Sequence, residues 1–235
     1  MDRVALVTGA RGGIGAAIVA RLEADGWAVH GVDVDEADLT TRDGNRQVVA
    51  DALAAHGRLD AIVPNAGFQH VAPVADFPDE QWDRLLALLL TSPFLLAKHA
   101  WQPLTASGDG RICVIASAHA LTASPFKAGY VAAKHGVLGL VKTLALEGAP
   151  VGICATAVCP AYVRTPLVEA QVDAQAESHG LPADRVLEEV ILERQAVKRL
   201  LEPEEVAEMV AWLCSPLATS VTGATYPMDG GWTAR

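Results

Sequence analysis

With 235 residues and no break in composition, the chain indicates one α/β domain spanning residues 1–235. The formal net charge of -10 argues against nucleic acid as a partner. The longest apolar run, residues 84–101, is interrupted by Thr, Ser and Pro, well short of the roughly 20 residues that a membrane span needs. The four cysteines form no C-x-x-C pair, and the start lacks the basic and apolar regions of a signal peptide. We therefore expect a cytoplasmic protein with reduced thiols, no membrane contact and no metal site.

Short β-rich runs alternate with segments of helical spacing along the chain. Near-continuous apolar strands separated by helices predict a parallel sheet that helices cover on both faces. Strands are predicted at residues 3–10, 28–34, 60–67, 110–117 and 153–162. Helices are predicted at residues 13–26, 44–55, 79–90 (continuing or restarting to 101), 130–147 and 202–215.

The first predicted strand runs into "TGARGGIG" (residues 8–15), where Gly9, Gly13 and Gly15 lead into a helix. Glycines let the main chain approach a pyrophosphate, and a helix N-terminus supplies N–H donors and positive potential. The spacing is G-x-x-x-G-x-G rather than G-x-G-x-x-G. This order of strand, loop and helix predicts a dinucleotide site, although a tight turn without a ligand would use the same glycines.

Asp33 ends the second predicted strand, 24 residues after Gly9. A carboxylate there can accept hydrogen bonds from the adenosine ribose hydroxyls and repel a 2′-phosphate, which favours NAD over NADP. Two alternatives stay open, because an Asp at a strand end is often a turn former and Arg11 could bind a phosphate.

Together these motifs resemble those of a known family. "TGARGGIG", "NAG" (residues 65–67), Ser117, "YVAAK" (residues 130–134) and "PAYVRTP" (residues 160–166) occur in the order and spacing of the short-chain dehydrogenase/reductases, along essentially the whole chain. The resemblance implies a Rossmann-type doubly wound parallel sheet and hydride transfer between nicotinamide and a carbinol or carbonyl. It implies that the cofactor, expected to be NAD, contacts Thr8, Gly9, Arg11, Gly13, Ile14, Gly15, Asp33, Asn65, Ala66, Gly67, Tyr130, Lys134, Pro160, Val163 and Thr165.

Tyr130 and Lys134 stand four residues apart, on one face of the predicted helix. A free phenol has a pKa of about 10, and a close ammonium stabilises the phenolate and lowers that pKa. We therefore assign Tyr130 the proton transfer with the substrate oxygen. Ser117, at the end of a predicted strand, would hydrogen-bond the same oxygen. The resemblance adds that Lys134 binds the nicotinamide ribose.

The sequence departs from the family pattern in several places. Leu89 aligns with the Asn that usually helps to hold a water in the proton relay, Pro64 replaces the first Asn of N-N-A-G, and Ala161 replaces the Gly of P-G. Residues 34–56 leave room for one helix only, because a parallel crossover needs about a dozen residues. We therefore expect the strand that the family usually has between residues 34 and 56, its third, to be shortened or absent, and the adenine pocket to be more open. Whether Asp38 contacts the adenine stays undecided.

From residue 65 onward, segments such as "SAHALTASPFKAGY" and "DGGWTAR" closely resemble the bacterial D-3-hydroxybutyrate dehydrogenases. One cation and three polar side chains over a nicotinamide suit the carboxylate of a small hydroxy or keto acid. Taken singly, His119 could be a satisfied loop histidine and Gln171 a solvated helix residue. The resemblance implies substrate contacts for Gln69, Ser117, His119, Lys127, Tyr130, Gln171 and Trp232.

The resemblance also implies a helical lid over the substrate at residues 165–198 and a homotetramer, with a solvated helical pair as the alternative to a lid. The predicted reaction is the NAD-dependent interconversion of (R)-3-hydroxybutyrate, or a close small 3-hydroxyacid, and its keto acid. Two alternatives are a broader carbonyl or 3-ketoacyl reductase and a weakly catalytic NAD-binding regulator.

Overall fold

A parallel sheet forms the centre of the molecule. The structure is a computed structural model that describes residues 2–166, 168–169, 172 and 182–234. In this part of the chain the strands lie in the order β2-β1-β3-β4-β5-β6. Because β2 and β3 flank β1, the loops after β1 and β3 diverge and open a crevice at the carboxyl edge. The strands are β1 (Val4–Thr8), β2 (Ala28–Val32), β3 (Ala61–Val63), β4 (Gly110–Ile115), β5 (Ile153–Pro160) and β6 (Thr225–Met228).

Helices connect these strands. They are α1 (Gly13–Ala24), α2 (Arg42–His56), α3 (Asp79–Leu86), α4 (Ser92–Ser107), α5 (Ala128–Gly148), α6 (Ala183–Val186) and α7 (Pro203–Cys214). π-Helical turns join α3 to α4 (Ala87–Thr91) and follow α6 (Leu187–Ile191). Short 3₁₀ turns occur at Val74–Asp76, Ala118–Ala120, Ala149–Val151, Pro216–Ala218 and Trp232–Ala234.

Local signals explain where two of these helices begin. The Thr41 hydroxyl accepts a hydrogen bond from the main-chain N–H of Gly44 at 3.0 Å, which caps α2. At α7, Glu202 and Glu205 form a reciprocal capping box, and Pro203 occupies the first turn, where its missing N–H costs nothing.

Alternating residues of the strands pack into two cores, one on each face of the sheet. Along β1, Val4 and Leu6 pack into the core beneath α2, α4 and α5, while Ala5 and Val7 pack beneath α1 and α7. Period-two alternation in which both sets are apolar requires a sheet covered on both sides. The predicted doubly wound α/β fold is therefore confirmed.

The shortened region after β2 is also confirmed. Residues 33–41 are fully described and contain no strand, so β2 is the edge of the sheet and the chain passes directly into α2. The sequence analysis did not predict β6, a four-residue strand that contains Pro227 and is only partly buried. Such a short segment carries too little periodicity to be recognised.

Part of the predicted lid is described. The segment after α6 buries Ile191 and Leu192 with Val186 in a small apolar cluster, against which Tyr162 also packs. Among the described helices, none is long and apolar enough to cross a membrane.

Candidate active site

A cavity of about 470 Å³ opens at the carboxyl edge of the sheet, where the loops after β1, β3, β4 and β5 meet. Most of the predicted site residues line it. At the cofactor end these are Gly9, Gly13, Ile14, Asp33, Asn65, Ala66, Gly67, Pro160, Val163 and Thr165. At the substrate end they are Gln69, Ser117, His119, Lys127, Tyr130, Lys134 and Trp232.

Three predicted cofactor residues lie outside this lining: Thr8, Arg11 and Gly15. The Thr8 hydroxyl accepts hydrogen bonds from the main-chain N–H groups of Asn65 and Ala66, both at 3.1 Å. The Asn65 amide in turn donates to the Thr8 carbonyl at 2.9 Å. These bonds tie the end of β1 to the loop after β3, so Thr8 shapes the site from behind the cavity wall.

The glycine loop leaves its main chain bare on the cavity side. Gly9 has a φ of 64°, a left-handed conformation that favours glycine. A Cβ atom on Gly15 would lie 1.9 Å from the Gly9 carbonyl oxygen, so no side chain fits at this close approach. Gly12 precedes α1 and has no side chain to cap the helix N–H groups. These features fit the pyrophosphate of a dinucleotide.

Asp33 follows β2 directly and faces the same cavity. One carboxylate oxygen accepts a hydrogen bond from the Val34 N–H at 2.8 Å, and the other accepts one from the Arg11 N–H at 3.0 Å. These two bonds fix the carboxylate beside the glycine loop, while its remaining lone pairs are left for ribose hydroxyls. The nearby Asp38 carboxylate instead accepts bonds from the Thr40 N–H and hydroxyl, at 2.9 and 2.6 Å.

Tyr130 and Lys134 lie on α5, opposite the end of β4. The Lys134 ammonium donates to the Ile115 carbonyl at 2.8 Å and lies 5.7 Å from the centre of the Tyr130 ring. Burial lowers the pKa of Lys134 from 10.5 to about 8. Burial raises the pKa of Tyr130, and a hydrogen bond with Ser117 only partly opposes this rise. The net shift in the pKa of Tyr130 is upward, because burial outweighs the hydrogen bond with Ser117, and the stabilisation of the phenolate by Lys134 stays a prediction.

Leu89 lies in the π-helical turn Ala87–Thr91 and lines the cavity. It packs with Leu85 and Ala133, and Tyr130 packs against the same apolar cluster. A hydrocarbon side chain therefore fills the position where the family usually has an amide. Sequence periodicity alone does not reveal the π-helical turn. Its hydrogen bonds span one residue more than those of an α-helix, but a single such turn is too short to change the visible pattern.

An aromatic wall closes the substrate end. Tyr162 stacks on Trp232, with 5.9 Å between ring centres and an interplanar angle of 1°. Trp232 meets His119 edge-on at 5.1 Å, and His119 meets Tyr130 edge-on at 5.9 Å. Asp229 holds the preceding turn, because its carboxylate accepts bonds from the Gly231 and Thr233 N–H groups, both at 2.9 Å.

Two polar side chains stand at this wall. Burial, followed by the charge of Lys127, lowers the pKa of His119 from 6.5 to about 4, so its ring is neutral near pH 7. The Nε2 atom of His119 lies 3.0 Å from the Ser124 hydroxyl. Lys127 immediately precedes α5, and burial lowers the pKa of its ammonium. Within the described ranges no carboxylate forms a salt bridge with Lys127.

The predicted substrate residue Gln171 lies outside the described residues. The structure adds Phe68, which lines the cavity, and Arg194, which the sequence analysis did not select. Arg194 donates to the Ala123 carbonyl at 3.4 Å, and its positive charge acts on both His119 and Tyr162. Its position depends on the path of the chain after α6, and no local motif marks it.

The comparisons with known proteins agree with this geometry. A family model described as "Enoyl-(Acyl carrier protein) reductase" matches residues 9–233. The chain belongs to the short-chain dehydrogenase/reductase family. Members of this family bind a nicotinamide cofactor, and the relatives that match this chain are named dehydrogenases and reductases. The protein is therefore an oxidoreductase.

Two short-chain dehydrogenase/reductase relatives match along nearly their whole length. A D-beta-hydroxybutyrate dehydrogenase of Rhizobium meliloti (strain 1021) is 40% identical over 258 residues, covering 100% of both chains. An acetoacetyl-CoA reductase of the same organism is 36% identical over 248 residues, covering 98% of each.

The fold also matches solved structures of the family. The L-sorbose reductase of Gluconobacter frateurii, complexed with NADPH and L-sorbose, superposes with a TM-score of 0.93 at 26% identity. The match covers 100% of this chain and 97% of the reductase. That protein carries NADPH, so the choice between the two nicotinamide dinucleotides rests on the residues of this chain.

Proposed function

We propose that this protein is an NAD-dependent 3-hydroxybutyrate dehydrogenase, or acts on a close small 3-hydroxyacid. The observation that carries this proposal is the half-buried Lys127 ammonium at the substrate end, beside the neutral ring of His119. Partial burial removes part of the water around this cation, and a substrate carboxylate would replace it with a charge-assisted hydrogen bond.

The cavity around Lys127 has both polar and apolar parts. Gln69 and His119 line it with polar groups, while Trp232 and Tyr162 supply an apolar wall. A small acid with a short apolar end has both parts. The 40% identical relative is itself named a D-beta-hydroxybutyrate dehydrogenase, which supports this choice.

The proposed chemistry divides the work between cofactor and protein. When bound, the nicotinamide takes up or returns the hydride of the substrate carbon. Tyr130 gives its proton to the carbonyl oxygen during reduction and takes it back during oxidation. Ser117 donates a hydrogen bond to the same oxygen, and Lys134 places a positive charge beside the phenolate that forms.

The preference for NAD rests on Asp33. Its carboxylate is held at the cavity by two main-chain N–H groups, next to the loop that would hold the pyrophosphate. A fixed negative charge there would accept bonds from the ribose hydroxyls of NAD and repel the extra phosphate of NADP.

Replacing Lys127 tests the substrate class. A charge-assisted hydrogen bond contributes roughly 1.5–3 kcal/mol. Lys127→Ala should therefore lower kcat/KM for acetoacetate by at least ~10-fold, because each 1.4 kcal/mol is about tenfold. Methyl acetoacetate offers no charge, so its kcat/KM should change much less. Lys142→Ala, which removes an exposed lysine from the same helix, is the matched control and should leave both substrates unaffected.

The outcomes separate the alternatives. An equal loss of kcat/KM for acid and ester would show that Lys127 supports the fold or Tyr130 rather than the substrate carboxylate. The function would then be that of a general carbonyl reductase. A wild type that prefers acetoacetyl-CoA to acetoacetate would favour a 3-ketoacyl reductase, the activity named for the 36% identical relative. Absence of turnover with every one of these substrates, despite cofactor binding, would favour the regulator.

We also propose that the protein is a homotetramer in the cytoplasm. Among the exposed apolar side chains, Phe94 and Leu146 lie on α4 and α5, on one side of the sheet, whereas Trp212 and Leu217 lie on α7 and in the turn after it, on the other side. Two separate apolar surfaces are what a dimer of dimers would bury. Sedimentation velocity distinguishes a tetramer from the dimer or monomer that would contradict this assembly.

A further inference from the structure

The turn that follows β2 is built from its own acidic residues. The main-chain N–H of Glu36 donates to the Asp33 carbonyl at 3.0 Å, and the Glu36 carboxylate accepts from the Asp33 N–H at 2.8 Å. This reciprocal pair holds the cavity-lining Asp33 in place where the family usually continues into a helix. Glu36 therefore supports Asp33 through one carboxylate oxygen and leaves the other for a second partner.

That second partner is Arg11 of the glycine loop. Its guanidinium forms an ion pair with Glu36 at 2.7 Å and another with Asp35. The Arg11 main-chain N–H also donates to the Asp33 carboxylate at 3.0 Å. Arg11 thus lies next to the carboxylate that faces the ribose, while two other carboxylates engage its charge.

We propose that Asp35 and Glu36 are specificity-determining residues, because they hold Arg11 in ion pairs and so withhold its positive charge from the 2′-phosphate of NADP. The inference rests on the proposed binding of a nicotinamide dinucleotide. Three carboxylates against one guanidinium give this turn a net charge of minus two, which repels a phosphate. Without Asp35 and Glu36 the local charge becomes neutral, and the Arg11 fork is free to bind a phosphate by two parallel hydrogen bonds.

The test neutralises the two acids without shortening them. In the double variant Asp35→Asn/Glu36→Gln, the amide oxygen at position 36 still accepts from the Asp33 N–H, so Asp33 keeps its place. The dissociation constant for NADPH, measured by fluorescence titration without substrate, should fall by about tenfold, or about 1.4 kcal/mol. The constant for NADH should change much less, because Asp33 and the glycine loop are intact.

A matched control exists on α1. Arg21 is also paired with two exposed acids, Asp25 and Glu208, so Asp25→Asn/Glu208→Gln removes the same charge from the same kind of cluster. Because this cluster lies away from the cavity lining, NADPH binding should not tighten. Any gain there equal to that of the Asp35/Glu36 variant would reduce the effect to net charge and overturn the proposal.

Arg11 gives the decisive comparison. Adding Arg11→Ala to the double variant should abolish the gain in NADPH binding, because the freed guanidinium is what binds the phosphate. The proposal falls if the gain persists without Arg11 or if the double variant shows no gain. A wild type that binds neither cofactor would instead overturn the proposed function itself. If the double variant fails to fold, the single variants Asp35→Asn and Glu36→Gln each release one ion pair of Arg11, and the proposal falls if neither tightens NADPH binding relative to NADH.

Discussion

The two ends of the cavity differ in burial and in the interactions that hold their side chains. At the substrate end, His119 and Trp232 are buried, and four aromatic rings touch in sequence from Tyr162 to Tyr130. The other end lies around Asp33 and Arg11, where we propose that the adenosine of the cofactor binds, and is called the adenosine end below. There, side chains that are about half exposed are held by ion pairs and by hydrogen bonds within one turn. Burial makes electrostatic effects strong and geometry rigid, whereas exposed ion pairs contribute little to stability.

This difference has a structural origin. The substrate end lies over the middle of the sheet, where β4, β5 and α5 contribute to one apolar core. The adenosine end lies at β2, which pairs with a strand on one side only in the part of the chain that the structure describes. We therefore expect substitutions at the substrate end to change chemistry and stability together, and substitutions at the adenosine end to change selectivity alone.

Replacing the Tyr130 hydroxyl should give the largest effect. Tyr130→Phe removes the hydroxyl that we propose as the proton donor and keeps the ring that packs with Leu85 and Leu89. We expect kcat to fall by about 10²–10⁴, the usual contribution of a general acid–base group. NADH affinity, measured by fluorescence, serves as the control and should be retained. Near-normal turnover would show that another group transfers the proton.

Asp33→Asn should give a smaller effect at the other end of the cavity. The amide keeps an acceptor oxygen and removes the charge that repels a 2′-phosphate. We expect the proposed preference for NAD over NADP, measured as the ratio of the two kcat/KM values, to narrow by about tenfold, or about 1.4 kcal/mol. Asp43→Asn, at the start of α2, is the control. A wild type that already favours NADP would contradict the assignment of NAD selectivity to Asp33, and with it the contrast between the two ends of the cavity.

An effect similar in size to that of Asp33→Asn is expected in the pH dependence of stability at the substrate end. His119 has a pKa of about 4 in the folded protein against an ordinary 6.5, so the unfolded chain binds the additional proton as the pH falls from 6.5 towards 4. Over this range, the free energy of unfolding of the wild type should decline relative to His119→Gln by about 1–2 kcal/mol.

Urea titrations at several pH values measure this difference. His135→Gln, which removes an exposed histidine from α5, controls for the loss of any imidazole. Parallel curves for wild type and His119→Gln would show that His119 takes up its proton equally in both states, and the buried character assigned to the substrate end would then be wrong.

The sequence specifies some of these features and not others. The absence of a strand between β2 and α2 is predictable, because a parallel crossover needs a minimum length of chain that these residues do not provide. The spacing of Tyr130 and Lys134 is also local, so it places them correctly on one helix face. The direction in which the pKa of Tyr130 shifts does not follow from this local spacing. It depends on burial in the folded protein and on the hydrogen bond with Ser117.

The ion pairs of Arg11 illustrate the same limit. Arg11 and Asp35 lie 24 residues apart, in two different loops, and each is an ordinary surface residue by sequence. Only the register of β1 beside β2 brings those loops together. Arg194 is unpredictable for a similar reason, since the path of the chain after α6 decides what it approaches.

The position of β2 at the edge of the sheet has a consequence for solubility. An unpaired edge offers free N–H and C=O groups to which a strand of another molecule can add, and this is a route to aggregation. β2 has only five residues, and the carboxylates of Asp33, Asp35 and Glu36 follow it at once. An incoming strand would have to place its own chain against this negative charge. We therefore expect these carboxylates to act as gatekeepers that stop the sheet from growing between molecules.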